Sequence, residues 1–223
     1  MTIAKPPQLL WWDGTNPYDY EPDRATIDLS TGLTQLADVF GSDKGSLGNA
    51  HAYTNVYERI ITPSNTTALC EIGVACGASL KMWSTYLPDA RILGLDVREE
   101  CKQLCKDYVN VEIVIDNVLD LRYDHDFDVV IDDSSHIAED IAKFFEHCWS
   151  WVKDGGLYIV EDLACTYSQE YLDEYNTRFG QMKRNERGMI LEMLDNVMRK
   201  VDSRIDIASV EYHPELLLIR KAP

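Results

Sequence analysis

The 223-residue sequence lacks several features that would each define a class of protein. No apolar run approaches the ~18 residues of a membrane-spanning helix. The opening residues, MTIAKPPQLLWWDG, lack the charged and apolar regions of a secretory signal. We therefore expect a cytoplasmic protein without a membrane partner. Because no C-x-x-C pair is present, the six cysteines are expected to be buried, reduced thiols rather than zinc ligands.

Basic residues are also scarce. The chain has 21 Lys and Arg against 38 Asp and Glu, which gives a formal net charge of −17. Because nucleic-acid binding needs clustered positive charge, this balance argues against a nucleic-acid partner. An excess of carboxylates favours solubility, and at particular positions it can also form a cation site.

From about residue 66 the sequence alternates between apolar runs and helical patterns. Strands are predicted at 68–71, 91–96, 111–115, 127–132, 157–160, 205–212 and 215–220, and helices at 79–86, 99–108, 137–151 and 189–201. The last two strands are joined by two residues, a connection that permits only an antiparallel hairpin. Upstream, two short helices are predicted around LTQLADVF and TNVYERII. We divide the chain into an N-terminal arm with cap helices (1–65) and a main domain (66–223).

A glycine-containing turn follows the first predicted strand. Its marked positions are Glu71, Gly73, Ala75 and Gly77, and Asp96 closes the second strand. Such glycines let the backbone approach a ligand, and such an acid meets ribose hydroxyls. The last glycine comes one position too early for the G-x-G-x-x-G turn of dinucleotide-binding proteins. The carboxylate of Glu71 also suits a cationic ligand better than a pyrophosphate, although a nicotinamide dehydrogenase stays an alternative.

Acidic residues end the fourth and fifth predicted strands. The segment 132–136 reads DDSSH, and Glu161-Asp162 follows the fifth strand. Ligands of doubly wound sheets bind at the carboxyl ends of the strands, where like charges need a neutralising cation. Oxygen ligands suit Mg²⁺, Mn²⁺ or Ca²⁺. A divalent ion acidifies a bound hydroxyl and a nearby histidine can take its proton, so Asp133 and His136 are candidate catalytic residues.

The glycine turn, the acid after the second strand and the C-terminal hairpin together resemble class I S-adenosylmethionine-dependent methyltransferases. The resemblance covers about residues 66–222 and implies an α/β fold, a doubly wound, seven-stranded, mostly parallel Rossmann-like sheet with an antiparallel C-terminal hairpin strand. It implies that S-adenosylmethionine is bound by Glu71, Gly73, Ala75, Gly77, Ser79, Asp96, Val97, Asp116, Asn117 and Asp132. Many members carry glycine where this chain has Ala75.

The DDSSH segment and Glu161-Asp162, with FGSDKG and HAYTNVYE upstream, resemble a narrower group. These are the metal-dependent macrolide sugar O-methyltransferases of the mycinamicin and macrocin type. The resemblance implies that Asp133, Glu161 and Asp162 hold Mg²⁺ and that His136 is the base. It implies methylation of a hydroxyl on a sugar or glycosylated natural product of antibiotic-type metabolism. The chain is short for that family, which leaves the acceptor and a homo-oligomeric state open.

Tyrosines mark a candidate acceptor face. Tyr167 and Tyr171 lie four residues apart, on one face of a predicted helix, and Tyr53 and Tyr57 lie in the upstream segment. Aromatic rings can hold a sugar, and they can equally pack against the domain. Two other functions stay open, namely methylation of a phenol or catechol and a non-catalytic cofactor-binding scaffold that kept the fold.

Overall fold

The computed structural model describes residues 32–47, 51–168, 173 and 187–223. The strands are β1 (Ala68–Ile72), β2 (Arg91–Asp96), β3 (Val111–Ile115), β4 (Phe127–Asp132), β5 (Val152–Val160), β6 (Ile207–His213) and β7 (Leu216–Lys221). They form one seven-stranded sheet in the order β3-β2-β1-β4-β5-β7-β6. The pairs β1–β4, β2–β3 and β4–β5 are parallel, whereas β7 runs antiparallel to β5 and β6. The predicted fold class is confirmed.

The helices follow the apolar periodicity of the sequence. They are α1 (Leu33–Phe40), α2 (Thr54–Ile60), α3 (Ala78–Tyr86), α4 (Ala138–Cys148) and α5 (Arg187–Asp202). Helix α1 ends at Gly41, whose left-handed φ of 72° supports a glycine C-cap. Helix α5 buries one stripe of apolar side chains, Ile190, Met193 and Val197. Within the described residues, no helix has the length and apolarity needed to cross a membrane.

The described residues pack into two compact units. The first comprises the described residues up to Ala68 together with Val74–Ile115, and the second comprises Leu69–Gly73 together with the described residues from Asp116 to Pro223. In the first unit α1 packs on α3, and the largest buried side chains are Phe40, Tyr57 and Trp83. In the second unit α5 packs on α4 and β6, and the largest are Phe127, Trp151 and Tyr158. The predicted boundary at residue 65 stays a prediction, and residues 1–31 of the predicted arm lie outside the described residues.

Strand β5 is longer than the sequence indicates. The run Lys153–Gly156 has the composition of a turn but lies inside the strand, which begins at Val152. Gly155 takes a left-handed φ of 76°, and the β4–β5 register shifts between Phe127 and Val129. A side chain on Gly156 would come within 2.8 Å of the carbonyl oxygen of Asp128. The two glycines therefore serve an irregular stretch and a close backbone approach inside the sheet, not a turn.

Two helices are shorter than predicted. The helix predicted at 99–108 is a 3-10 helix over Glu99–Gln103, and the one predicted at 137–151 ends as an α-helix at Cys148, followed by a 3-10 turn over Trp149–Trp151. Backbone hydrogen bonds of the i to i+3 type continue to Tyr108, whose N–H donates to Cys105. The six cysteines are all buried and free, as predicted.

Candidate functional site

The glycine turn is tied to the end of β2 by the carboxylate of Asp96. Its Oδ2 atom accepts hydrogen bonds from the backbone N–H groups of Val74, at 3.0 Å, and Ala75, at 3.4 Å. Both Ala75 (φ 51°) and Gly77 (φ 78°) are left-handed, and Gly77 is the N-cap of α3. Alanine in this conformation costs about 1–2 kcal/mol relative to glycine, so the Asp96 contacts help to hold the turn in shape.

A thiol contacts the carbonyl side of the same residue, Ala75. Cys101 donates its S–H to the carbonyl oxygen of Ala75, with a sulfur–oxygen distance of 3.4 Å. Burial, with a further contribution from Asp96, raises the pKa of Cys101 to about 12, so the thiol stays protonated and remains a donor. The sequence carried a signal for this role, because Cys101 and Cys105 are four residues apart, and Cys105 contacts the Gly77 carbonyl.

Arg98 was missed by the sequence reasoning. Its guanidinium contacts both oxygens of Asp96, with Nε 3.1 Å from Oδ1 and a terminal nitrogen 3.1 Å from Oδ2, and its backbone N–H lies 2.9 Å from Oδ1. Burial alone would raise the pKa of Asp96, but the Arg98 side chain and the N–H groups of Val74 and Arg98 outweigh it and lower the pKa to about 2. The D-x-R spacing of Asp96 and Arg98 was the available signal.

In the second unit, the first residue of the turn lies against the end of β4. Gly73 has a φ of 98°, and a side chain there would overlap the carbonyl oxygen of Asp133. The Asp133 N–H donates to the Ile72 carbonyl at 2.9 Å. This close approach explains the requirement for glycine at position 73.

Three predicted residues come together in the second unit. Asp133 directly follows β4, His136 lies three residues later, and Asp162 is the second residue after β5. Their candidate ligand atoms all lie within 4.8 Å of one another. The Nε2 atom of His136 is 3.9 Å from Asp133 Oδ1 and 3.6 Å from Asp162 Oδ2, distances longer than a direct hydrogen bond. The three side chains are mostly but not fully buried, so the group can still meet a ligand.

Two of the three residues in this group have a left-handed backbone. His136 and Asp162 both have a φ of 54°, in the left-handed region. Non-glycine residues adopt this conformation infrequently, at a cost of order 1–3 kcal/mol each, and they cluster at functional sites. The strain sets the direction of both side chains, and no residue pattern in the sequence announced it.

Two other acidic residues of the motifs are placed differently. Glu161 is 2% exposed and does not belong to the three-residue group, which was sought among the described residues. Asp132 is also buried, and its two oxygens accept from Ser134 Oγ at 2.5 Å and from the Tyr158 hydroxyl at 3.3 Å. Burial raises the pKa of Asp132 to about 6, with Ser134, His136 and Tyr158 each opposing that rise. The carboxylate of Asp132 is therefore engaged inside the protein, and its predicted contact with the cofactor stays a prediction.

The two serines of the DDSSH segment brace the acidic loop. Ser134 donates to Asp132, and Ser135 Oγ donates to Asp140 Oδ2 at 2.7 Å while accepting from the Ile137 N–H at 3.3 Å. Asp140 lies in the first turn of α4. These bonds fix the loop on both sides of His136, which gives the serines of the motif a physical role.

The remaining predicted cofactor residues have varied surroundings. Glu71 is fully buried in β1, Ser79 is nearly buried in α3, and Val97 is 72% exposed directly after Asp96. Asp116 and Asn117 are exposed and form a turn, in which the Asn117 side chain accepts from the Leu119 N–H at 3.0 Å. A contribution from Asn117 to adenine binding would have to coexist with this cap.

The tyrosines of the predicted acceptor face separate into two environments. Tyr53 and Tyr57 are buried in the first unit, in a row of aromatic rings that continues to Trp83, so packing accounts for them. Tyr167 is about half exposed, and the guanidinium of Arg187 lies 4.9 Å from its ring centroid. Tyr171 lies outside the described residues.

Asp133, His136 and Asp162 supply two carboxylates and one imidazole. Hard divalent cations take such oxygen-rich sets, and Mg²⁺ in particular is usually held by one or two carboxylates with other positions left for substrate and water. The residues present therefore fit a divalent cation. The same imidazole can alternatively accept a proton from a hydroxyl held beside it.

Comparisons with known proteins show which proteins this chain is similar to. Residues 69–156 match a family model described as a methyltransferase domain. The chain is 30% identical over 209 residues to an 8-demethyl-8-alpha-L-rhamnosyl tetracenomycin-C 2'-O-methyltransferase from Streptomyces olivaceus, covering 85% of this chain and 54% of that protein. It is 30% identical over 151 residues to a mycinamicin VI 2''-O-methyltransferase from Micromonospora griseorubida, covering 60% of this chain and 37% of that protein. The chain thus spans about half the length, or less, of these relatives.

A solved structure shares the fold. It is the MycE methyltransferase from the mycinamycin biosynthetic pathway in complex with Mg, SAH and mycinamycin VI, with a TM-score of 0.68 and 23% identity, covering 86% of this chain and 55% of that one. The predicted resemblance to macrolide sugar O-methyltransferases is confirmed.

Proposed function

We propose that this chain, which belongs to the class I S-adenosylmethionine-dependent methyltransferases, methylates a hydroxyl on a sugar or glycosylated natural product with the help of a divalent cation. The observation that carries the proposal is the convergence of Asp133, His136 and Asp162. The relative from Streptomyces olivaceus, whose name states 2'-O-methylation of a rhamnosyl tetracenomycin, supports the acceptor class.

The base in this proposal is His136. Its Nε2 atom lies between the carboxylates of Asp133 and Asp162, at 3.9 and 3.6 Å. It would accept the proton of the acceptor hydroxyl as the hydroxyl oxygen bonds to the methyl group, the methyl–sulfur bond breaks and S-adenosylhomocysteine leaves. Ser134 and Ser135 keep the loop on either side of the ring in place.

Asp133 and Asp162 are the proposed cation ligands, and Mg²⁺ is the proposed ion, with Mn²⁺ or Ca²⁺ as substitutes. A bound divalent ion would acidify the acceptor hydroxyl and orient it. Glu161 is retained as a third ligand on the family resemblance alone. Asp133, whose Oδ1 lies 3.9 Å from His136 Nε2, is also retained as a catalytic residue beside the base.

The glycine turn and the end of β2 form the proposed binding region for the methyl donor. S-adenosylmethionine would supply an activated methyl group on its sulfonium. Asp96 would bind the ribose hydroxyls, and the exposed Val97 side chain offers an apolar surface to adenine. By the family resemblance, the amino-acid end of the donor would lie along the turn at Gly73, Ala75 and Gly77.

Methyl transfer with and without metal tests the function. The full chain would be incubated with radiolabelled S-adenosylmethionine and one of three acceptors, an α-L-rhamnosyl polyketide glycoside, its aglycone or catechol. We expect transfer to the glycoside only, loss of transfer in excess chelator and recovery on adding Mg²⁺. Transfer that survives the chelator would overturn the role of the cation.

The choice among the three acceptors distinguishes the proposed function from a phenol or catechol methyltransferase and from a non-catalytic scaffold. Preferred transfer to catechol would support a phenol or catechol enzyme. A protein that binds S-adenosylhomocysteine in calorimetry but shows no Mn²⁺ binding and no transfer would support a scaffold. A cytoplasmic location, a homo-oligomeric state and the absence of membrane and nucleic-acid partners stay predictions.

A further inference from the structure

Asp96 is surrounded by more hydrogen-bond donors than a carboxylate has lone-pair sites to accept. Its Oδ1 atom accepts from the backbone N–H and the Nε of Arg98, and its Oδ2 atom accepts from Val74, Ala75 and a terminal nitrogen of Arg98. That makes five donors, whereas a carboxylate offers about four lone-pair sites. Two ribose hydroxyls therefore cannot be added without removing donors that are already there.

The five donors differ in how readily they can move away from the Asp96 carboxylate. The N–H groups of Val74, Ala75 and Arg98 belong to the backbone of the glycine turn and of the segment after β2, and Cys101 further fixes the Ala75 peptide. The guanidinium of Arg98 sits on a flexible side chain that is 37% exposed. It supplies two of the five donors, one to each oxygen, and unlike the backbone groups it can move away from Asp96 without a change in the turn.

We propose that Arg98 sets the affinity for the methyl donor by competing with the ribose hydroxyls for the two oxygens of Asp96. The inference rests on the proposed function, because it takes S-adenosylmethionine as the ligand of this region. In the free protein the guanidinium neutralises Asp96 and holds it in place. On binding, the guanidinium gives up both oxygens while the backbone donors stay. Arg98 is thus an affinity-setting residue, and it takes no part in the chemistry.

The competition predicts the direction in which the affinity changes when Arg98 is removed. Replacing an arginine beside a ligand ordinarily weakens binding, whereas here Arg98→Ala is expected to tighten it. The ion pair is partly exposed, and exposed pairs contribute about 0.2–1 kcal/mol, which corresponds to a gain of up to roughly fivefold in affinity. Arg98→Lys keeps the charge but loses the bidentate contact, so its affinity for the donor is expected to lie between those of wild type and Arg98→Ala.

Salt provides a second readout that a merely structural role would not produce. Raising the ionic strength from about 0.01 M to about 1 M shortens the Debye length from ~30 to ~3 Å and weakens the Arg98–Asp96 pair. The wild-type affinity should then rise towards that of Arg98→Ala, and the variant should change little. S-adenosylhomocysteine is the suitable probe, because it lacks the sulfonium charge, which would bring its own salt dependence.

The experiment is calorimetric titration of S-adenosylhomocysteine into the full chain at both ionic strengths. Wild type, Arg98→Ala and Arg98→Lys are compared with Lys102→Ala, a matched control. Lys102 lies in the 3-10 helix that follows Arg98, and its ammonium pairs with Glu99 at 3.4 Å. Its removal changes the net charge by the same amount as Arg98→Ala. We expect tighter binding by Arg98→Ala, no change for Lys102→Ala, and convergence at high salt.

The outcomes distinguish this inference from the proposed function. Binding by all variants with Arg98→Ala equal to or weaker than wild type would overturn the competition and leave the methyltransferase proposal standing. Equal gains by Arg98→Ala and Lys102→Ala would also overturn it, since general charge would be the cause. Failure of every variant, wild type included, to bind S-adenosylhomocysteine would overturn both.

Discussion

The glycine-turn region of the first unit and the acidic group of the second use their carboxylates in opposite ways. Asp96 receives five hydrogen bonds from the protein at 2.9–3.4 Å. Asp133 and Asp162 instead face the ring of His136 at 3.9 and 3.6 Å, beyond hydrogen-bond length. In the first region one carboxylate gathers five hydrogen-bond donors, whereas in the second two carboxylates and an imidazole lie near one another at distances where the proposed cation would be bound.

The largest effect should come from His136→Ala, which tests the chemistry of the second region alone. Loss of a general base typically lowers kcat by roughly 10²–10⁴-fold. Binding of S-adenosylhomocysteine should not change, because the turn and Asp96 are untouched. The control is His125→Ala, since His125 also has a positive φ, 49°, and lies 3.4 Å from Asp154. Equal losses in the two variants would show that backbone strain, and not proton transfer, is responsible.

Asp162→Asn tests whether the second region needs a cation. Removing one charged ligand should weaken Mn²⁺ binding by at least about tenfold, the lower range found when even the supporting residues of metal sites are changed. Calorimetric titration with Mn²⁺ measures this without an acceptor. Asp154→Asn, from a half-exposed Asp–His pair, is the matched control. Unchanged Mn²⁺ affinity in Asp162→Asn would remove the distinction between the two regions.

Gly73→Ala tests the backbone approach at the start of the glycine turn. The new side chain would overlap the Asp133 carbonyl and would sit at a positive φ, so we expect a loss of about 2 kcal/mol or more in the free energy of unfolding. Gly155→Ala separates the two causes, since Gly155 also has a positive φ but its surroundings are open. The loss in the free energy of unfolding of Gly155→Ala should stay at ~1 kcal/mol, measured by denaturant unfolding. Equal losses would mean that the overlap is relieved by movement.

The smallest effect concerns the hydrogen bonds around Asp96. Its pKa in the folded protein is about 2, below its ordinary value of 3.8. The stabilisation this implies is fully present above about pH 4 and is lost as the pH falls towards 2. The free energy of unfolding of the wild type should therefore fall more between about pH 4 and pH 2 than that of Asp96→Asn. The exposed Asp89→Asn is the control. Parallel pH curves for wild type and Asp96→Asn would contradict the lowered pKa.

Much of the fold follows from apolar periodicity. Strand β4, bounded by charged residues, matches its predicted range of 127–132, and α5 follows its apolar stripe. The run at 153–156 belongs to β5 but lies outside the strand predicted at 157–160, because glycine is common in turns and in irregular strands alike and only the pairing with β4 separates them. The helix after β2 was overestimated because the i to i+3 hydrogen bonds there leave little trace in side-chain spacing.

The candidate site was predictable in its residue types but not in its contacts. The spacing of Asp133, His136 and Asp162 at strand ends was sufficient to nominate them, since strand ends are where α/β sheets bind ligands. The buried Asp132 and the Arg98 contact were not predictable, because they depend on side-chain directions across the tertiary structure. Arg98 is the instructive case, since it lies only two residues from a nominated acid.

The left-handed backbone at His136 and Asp162 changes which substitutions count as conservative. Aspartate, asparagine and histidine are several-fold enriched in that conformation, whereas longer side chains are not. Asp162→Glu would keep the charge but favour a backbone that points the carboxylate elsewhere, and Asp162→Asn would lose the charge but keep the backbone. At this position, amino acids that are alike in chemistry are therefore the less interchangeable ones, and sequence drift should be confined to small polar side chains.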